Sequence, residues 1–427
     1  MPADLTSFDA VLKLDYEKTI VELVNKKVRL LDLFTKQDAH ELDSSGKKVV
    51  YPVNIGRNSG VISASEMRAL PTAGQQSYLD VGVKPKYTYG RVQLTGQVIN
   101  QSAQSKGAFV KAMKSEMDGL IRDLAEYRNI CLWGYGSGLK CKVSSVAGNN
   151  LTMKDPGGVA GTVNTARFLK VGDIIAVINP AGPALRGVST ISAIVGNVVT
   201  VAAAPSGTAL NDIVAKASTT TAALADTDYS ATPGDGTVPM GLLGMVDDGT
   251  YLNNFMEISR TAYPIWKSTV VPNVGALSLM TLQSAIDIAD QRGGTEITHF
   301  LCHHSVRRAY LSLLQADRRY MGKDLRTPDG GTIAAQMKDI TYAEIPMIAE
   351  KMAPYGMIFG IDKGYFSRLI WSEGKWDDTD GNVLHRVTGV DAYEGYFKIY
   401  DNFGCDKPGS QIRLDGVTAT VTAVLPY

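Results

Sequence analysis

From Thr6-Ser7, residues suited to cap a helix, apolar positions recur mostly every three or four residues: Val11, Leu12, Tyr16, Ile20, Leu23, Val24, Val28 and Leu31. The spacing predicts an amphipathic helix, or two short ones, across residues 6–34. Between residues 47 and 100 the period changes to two. Tyr51-Pro-Val53-Asn-Ile55, Val81-Gly-Val83 and Tyr87-Thr-Tyr89 alternate apolar with small or polar residues, and RNSGVISASEMRALPTAGQQS lies between the arms. That pattern predicts a long two-stranded β excursion with a loose tip. Such a ribbon has little apolar surface of its own and is marginal alone in water, so it must lie on something else. From Gly107 to Trp133 the period is helical, with Phe109, Met113, Met117, Leu120, Leu124, Tyr127 and Cys131 in one stripe and Asp118 four residues before Arg122 on the polar side. This rod of roughly 35–40 Å should be packed on one face and free on the other. The glycines of Gly134-Tyr-Gly136-Ser-Gly138 end it.

Residues 139–217 read as a separate all-β module. Lys142–Met153 and Ile191–Val201 echo one another at an offset of 48: Val143 matches Ile191, Val146 matches Ile194, Gly148-Asn149 matches Gly196-Asn197, and Thr152 matches Thr200. Each is two short β runs about a Gly-Asn turn, and residues 168–177 supply another strand entry, so a small barrel or sandwich is expected. The Thr/Ala/Asp/Gly-rich stretch 218–239 reads as its connector. Beyond it, Ser278 caps a helical stripe of Leu279, Leu282, Ile286 and Ala289 that stops at Gly293-Gly294. A strand at 297–302, a second helix at 305–314, and strands at 344–349 and 357–361 follow. A hairpin turning at Asp380-Gly381, a strand at 396–400 and a β-leaning tail from Val417 to Leu425 complete the pattern. The class is α+β with antiparallel sheets and one inserted β module.

Composition narrows function. The 427 residues suffice for two or three compact units, which excludes disorder for most of the chain. With 43 Lys+Arg against 43 Asp+Glu there is no global field to attract a polyanion or an anionic membrane. A nucleic-acid reader of the usual basic kind is disfavoured. The N-terminus carries acidic residues where a secretory signal needs a basic start, and nothing approaches the ~18 consecutive apolar residues of a membrane span. We therefore expect folding in a cytoplasm and no membrane partner. Cys131, Cys141, Cys302 and Cys405 lack C-x-x-C spacing and read as small buried apolar residues.

The search for chemistry yields little. His299, His303 and His304 form a histidine cluster, but adjacent histidines at a strand end point to opposite sides, and no H-E-x-x-H is present. Asp377, Asp378 and Asp380 lack the register and the distal Glu of a calcium loop; a hairpin turn explains them better. Gly234-Asp-Gly236, Gly293-Gly294 and Gly330-Gly331 lack the Lys-Ser/Thr of a phosphate loop, and there is no G-x-S-x-G elbow. No catalytic residue, metal ligand or cofactor is assigned. Arg307, Arg308, Arg318, Arg319, Lys323 and Arg326 cluster along one helix and the loop after it. They read first as a solvated face, and second as a contact to a neighbouring subunit or packed nucleic acid.

The order of an amphipathic N-terminal arm, a long Gly/Ser/Ala-tipped β loop, one long helix and an α+β body resembles the major capsid proteins of tailed bacteriophages, the Hong Kong 97-type fold. Gly241–Thr250 followed by Ile258-Ser-Arg-Thr-Ala-Tyr-Pro-Ile-Trp266 is similar to their "G-I-x-R-x-x-x-x-x-W" passage. Residues 276–294 and 298–315 resemble their helix, strand and short helix. Glu344–Ala349 and Met357–Phe366 resemble their "G-x-P-(V/I)" and "aliphatic-G-D" strands, with Glu344 in place of the glycine and Ile361 between Gly360 and Asp362.

The resemblance implies an N-terminal arm at 1–46, an extended loop at 47–100, and a peripheral domain with its spine helix at 101–138. It implies an inserted β module with linker at 139–239, and an axial and peripheral body at 240–427. It implies a shell subunit that self-assembles as hexamers and pentamers around double-stranded DNA, held without sequence specificity, in a virion capsid put together in a bacterial cytoplasm. Its partners would be a portal, a separate scaffolding protein, favoured by an arm that begins almost at Met1, and optionally a decoration protein. Lys84 and Lys86 lie on the returning arm of the loop, away from its tip, so no crosslink is expected. Interface candidates are Arg57, Arg68, Lys84 and Lys86 on the loop, Asp118 and Arg122 on the spine helix, and Arg307, Arg308, Arg318 and Arg319 in the body. The alternatives are a nanocompartment shell of the same fold, and a cytoplasmic enzyme with a β-barrel accessory domain, for which His303 and Asp317 are the candidates.

Overall fold

The computed structural model describes residues 29–39, 47–63, 65–97, 106–156, 165–221, 223–232, 236–318, 340–378 and 381–418. Most of the helix expected at 6–34 lies outside these residues; its end is a 3-10 turn, Arg29–Leu33, that buries Leu30 and Leu31. Phe34 follows, packed against Phe366 and Phe403. The chain then enters β1 (Thr35–Asp38), which pairs in parallel with Phe366–Trp376.

The ribbon is β2 (Val49–Asn54) against β3 (Tyr78–Val83), with Val49 opposite Val83 and Asn54 opposite Tyr78. The next strand, β4 (Lys86–Thr95), is not part of the excursion expected from Tyr87-Thr-Tyr89. It pairs antiparallel with the long strand Ala392–Cys405, from Thr95 opposite Ala392 to Lys86 opposite Asp401. The reason lies in its strict alternation: Lys86, Thr88, Gly90, Val92 and Leu94 are buried while Tyr87, Tyr89, Arg91, Gln93 and Thr95 are exposed. A strand so divided suits a sheet with one packed and one wet face.

Helix α1 (Lys106–Trp133) covers the packed face. It lies so close that a Cβ on Gly90 would stand 2.8 Å from Leu120 Cδ1. Its buried positions among those described are Met117, Ile121, Leu124, Ala125, Arg128, Asn129, Cys131, Leu132 and Trp133. Leu120 and Tyr127 of the expected stripe are only half-buried, and the side chains of Phe109 and Met113 lie outside the described residues. The expected single free face fails at the C-terminal end, because sheet and barrel enclose the helix from two sides. Arg128 and Arg368 both donate to the buried Asp401 carboxylate, at 2.6 and 2.8 Å, tying helix to sheet.

The expected barrel or sandwich is a closed six-stranded barrel, in the order β10-β5-β6-β9-β8-β7. Its strands are β5 (Leu139–Ala147), β6 (Asn150–Lys154), β7 (Ile174–Asn179), β8 (Ala184–Val195), β9 (Val198–Val201) and β10 (Ile213–Lys216). The sequence repeat becomes a symmetry. Leu151 pairs with its own repeat partner Val199. Met153 N–H donates to the Asn197 carbonyl at 2.8 Å, while Val201 N–H donates to the Asn149 carbonyl at 2.9 Å.

The last unit is a mixed sheet of six strands, in the order Thr341–Tyr342, Ile345–Ala349, His299–Cys302, Ile358–Ile361, Ile412–Leu414 and Thr269–Val271, packed by α2 (Leu279–Gly293) and α3 (His304–Arg318). Ser278 caps α2, accepting from Thr281 N–H at 3.2 Å, and Gly294 closes it at φ 59°. Two expectations are corrected. Parallel pairs occur beside the antiparallel ones: Phe300 lies beside Met347 across a connection that includes α3, and Thr35 beside Ser367 and Thr269 beside Ile412 are parallel because each joins segments far apart in the chain. Phe366–Trp376 does not fold back onto residues 383–387: both it and His385–Arg386 pair with Ala392–Cys405, which at 14 residues is the longest strand described and spans both. All four cysteines are buried and none is in a disulfide.

Candidate subunit interface

The ribbon divides into a base held by its own chain and a tip that is not. At the base, Val49 and Val81 are fully buried. Tyr51 Oη donates to the Asp406 carboxylate at 2.6 Å. Gly82 N–H donates to the Met256 carbonyl at 3.1 Å, and Glu257 accepts from Lys48 at 2.6 Å while facing Lys84 at 3.8 Å. Met256 and Glu257 hold φ of 53° and 66°. Two consecutive left-handed non-glycine residues cost roughly 1–2 kcal/mol each, and both make ribbon contacts. Part of the backbone strain of the described residues thus lies where the ribbon is gripped.

Past Asn54 the support ends. Among the described residues between Arg57 and Ser77 no strand forms, and Val61, Met67 and Leu70 are 87, 101 and 87% exposed. Ile62 and Tyr78 are exposed as well. Arg57 and Arg68 are exposed and make no ion pair among the described residues. Four large apolar side chains on one loop, with nothing beneath them among the described residues, form a surface that suits a partner.

The other candidates separate. Lys84 faces Glu257 within its own chain. Lys86 is not on the free surface: it is 4% exposed and its ammonium donates to the Gly236 carbonyl, because position 86 falls on the packed face of β4. Asp118 and Arg122 are both exposed on α1, and no ion pair joins them. Arg308 is exposed and Arg307 half-buried, its Nε buried without a partner. The Arg318 side chain and Arg319 lie outside the described residues.

The histidines do not form a centre. His303 Nδ1 sits 2.8 Å from Ser305 Oγ, and its ring is 5.7 Å from Tyr355. Burial first, then nearby Arg167, push its pKa down to about 3, so it stays neutral. Among the described residues no three His, Cys, Asp or Glu side chains are placed to share a metal ion, and no helix is long and apolar enough to cross a membrane. The Asp317 side chain lies outside the description.

Sequence reasoning missed the residues that grip the ribbon, Glu257 and Asp406, which no local pattern distinguishes from solvated acids. It quoted Arg260 and Trp266 without seeing their task. Arg260 is fully buried and donates to the carbonyls of Leu252, Gly244 and Met245 at 2.8, 2.9 and 3.0 Å, while Trp266 Nε1 donates to the Phe255 carbonyl at 3.1 Å. The six-residue spacing of these two pins the loop 241–268 beneath the ribbon.

No family model and no curated protein matches the chain. Among solved structures, 92% of it superimposes on 93% of a chain in the capsid asymmetric unit of cyanophage A-1(L), with 10% identity and a TM-score of 0.53. The capsid of the native GTA particle aligns over 92% of this chain and 91% of its own, at 9% identity and a TM-score of 0.45. The SrpI encapsulin complex from Synechococcus elongatus PCC 7942 aligns over 93% and 90%, at 10% identity and a TM-score of 0.42. Near-complete coverage of both chains in the first of these shows that this polypeptide has the fold of a phage capsid subunit, the Hong Kong 97-type fold, carrying a β barrel between its long helix and its body.

Proposed function

We propose that the chain is the major capsid protein of a tailed bacteriophage, a shell subunit that assembles with copies of itself into an icosahedral container for the genome. The observation that carries this reading is the ribbon: a base fastened to its own body and a tip whose Val61, Ile62, Met67 and Leu70 stand in solvent. Covering those four side chains is worth roughly 6–12 kcal/mol per copy before ordering costs, at about 1.5–3 kcal/mol each. A neighbouring copy is the partner that a repeating shell supplies everywhere. In this reading the ribbon is the extended loop, α1 the spine of the peripheral domain, residues 139–239 an insertion, and residues 240–427 the remaining body. Arg57, Arg68, Asp118, Arg122 and Arg308 are contact candidates; Lys86 is not. A separate scaffolding protein, a portal and double-stranded DNA bound without sequence specificity are the further partners. The near-neutral charge suits close packing of identical copies, since like charges would repel at each contact.

Electron microscopy of the protein, expressed alone and with its genetic neighbours, tests the proposal. Closed shells or capsomers are expected. A population of small discrete oligomers with catalytic turnover would replace it by an enzyme. Shells that enclose a protein cargo and no nucleic acid would replace it by a nanocompartment.

A further inference from the structure

The barrel reaches into the body beside the start of α3. Two residues outside the barrel's strands make the crossing. Asp155, just past β6, accepts from the Tyr355 N–H at 2.9 Å, and Arg167, in the 3-10 turn Thr165–Phe168, donates to the Ala353 carbonyl at 3.0 Å. The two also pair with each other at 3.3 Å. Ala353 and Tyr355 are buried in the connection between strands Ile345–Ala349 and Ile358–Ile361.

His303 closes this junction from the body side. Its carbonyl accepts from the Val306 N–H at 3.1 Å, which makes it the cap of α3, and its ring stands 5.7 Å from that of Tyr355. The Ser305 N–H donates to Nδ1 at 3.2 Å. A backbone amide can only donate, so Nδ1 carries no proton here. The Ser305 hydroxyl, 2.8 Å from the same nitrogen, also hydrogen-bonds Tyr355 and so links the cap to the buried connection. Capping usually falls to serine, threonine, asparagine or aspartate, none of which can become a cation. Histidine can.

Protonation would undo each of these relations. An imidazolium loses the acceptor that the Ser305 N–H uses and sets a positive charge on the positive end of the α3 dipole. It also faces Arg167 from the barrel, and His304 and Arg308 from α3. The carboxylates at the junction are engaged elsewhere: Asp155 by Arg167 and Tyr355, and Glu350 by Asn129 at 3.4 Å and by the Lys351 N–H at 3.0 Å. We infer that His303 is an acid-operated latch between barrel and body: its protonation frees Asp155 and Arg167 from residues 353–355 while the barrel and the body sheet stay folded. Every group in the latch belongs to one chain, so the inference stands apart from the shell reading. Burial and the neighbouring cations hold the closed ring at a pKa of about 3, whereas an opened ring returns towards 6.5, and that difference is what drives opening in acid.

Hydrogen exchange on the full-length, unassembled chain tests it, with protection corrected for the intrinsic pH dependence of exchange. Between about pH 7 and about pH 4.5, protection of the Tyr355 amide should fall by up to roughly a hundredfold. The Val201 amide of the barrel and the Thr298 amide of the body, which donate to the Asn149 and Ile361 carbonyls, should keep theirs. His303→Asn retains a capping oxygen but cannot take the proton, and should hold Tyr355 protection constant over the same interval. Tyr355 protection in the unmutated chain that does not change with pH overturns the inference, and that result needs no variant. A loss that His303→Asn shares also overturns it. So does a loss that extends equally to Val201 and Thr298, because the chain would then be unfolding as a whole.

Discussion

Tyr51 Oη and the Asp406 carboxylate meet at 2.6 Å, joining the first arm of the ribbon to the segment just beyond the longest strand of the body. Burial raises the Asp406 pKa, and the tyrosine's hydrogen bond only partly counters that shift. Tyr51→Phe removes the donor and leaves a mostly buried acceptor unsatisfied, at a cost of about 1–3 kcal/mol. The midpoint of urea unfolding should fall accordingly, and the amides of β2 and β3 should exchange faster than those of the barrel.

The tip should behave oppositely. Met67→Asp and Leu70→Asp alter side chains that touch solvent, so unfolding of the unassembled chain should change by no more than about 0.5 kcal/mol. Shell formation, followed by sedimentation, should be lost. Unchanged assembly by the double variant would remove the tip from the interface.

The buried centre at Asp401 sets a different scale. Burial pushes its pKa up, but Arg128 and Arg368 outweigh burial and leave the carboxyl below its usual range. Asp401→Asn would strand two buried guanidinium groups with a neutral partner, and a loss of about 3–5 kcal/mol is expected, as for breaking any buried ion pair. Chemical denaturation of the soluble variant measures it, and failure to accumulate folded protein agrees with the same value.

Acid should act in two stages. His303 has a folded pKa of about 3, below its ordinary 6.5. The unfolded chain therefore binds the extra proton first, and stability declines as pH falls below about 6.5. The depressed Asp401 adds a second loss as pH falls below the ordinary aspartate value of 3.8. Raised carboxyls such as Asp415 and Asp406 have the reverse sign: they gain stability as pH falls through their raised folded values toward 3.8, and so offset part of the upper stage. Burial also lowers the His299 pKa, so His303→Gln should shrink the upper stage to the His299 part and spare the lower one, as read from unfolding midpoints across pH.

Gly148 and Gly196 are repeat partners, and both hold φ of 62° with open space around the missing Cβ. Alanine at either position meets no clash, only the left-handed backbone penalty of about 1–2 kcal/mol. The two single variants should lose equal stability, and the double variant their sum, because the turns they occupy are at opposite ends of the paired strands β6 and β9.

Local order was legible where neighbouring residues decide it. The Gly-Asn turns, the Ser278 cap, the Gly294 stop and the alternation through 86–95 are choices made by backbone conformation and by a period of two or 3.6, and the chain carries them in any context. The resemblance of element order was enough to anticipate the capsid fold. What the residues could not declare alone was which strand each edge would meet. Tyr87-Thr-Tyr89 alternates equally well in a ribbon or in a sheet, and only the long strand Ala392–Cys405, some three hundred residues later, decided for the sheet. Likewise Lys86 reads as a surface cation until pairing turns it inward, and Glu257 as a solvated acid until folding brings Lys48 and Lys84 beside it. Burial and charge pairing depend on residues distant in the chain, so they belong to the tertiary structure. The solvent-exposed tip shows what that structure leaves unfinished.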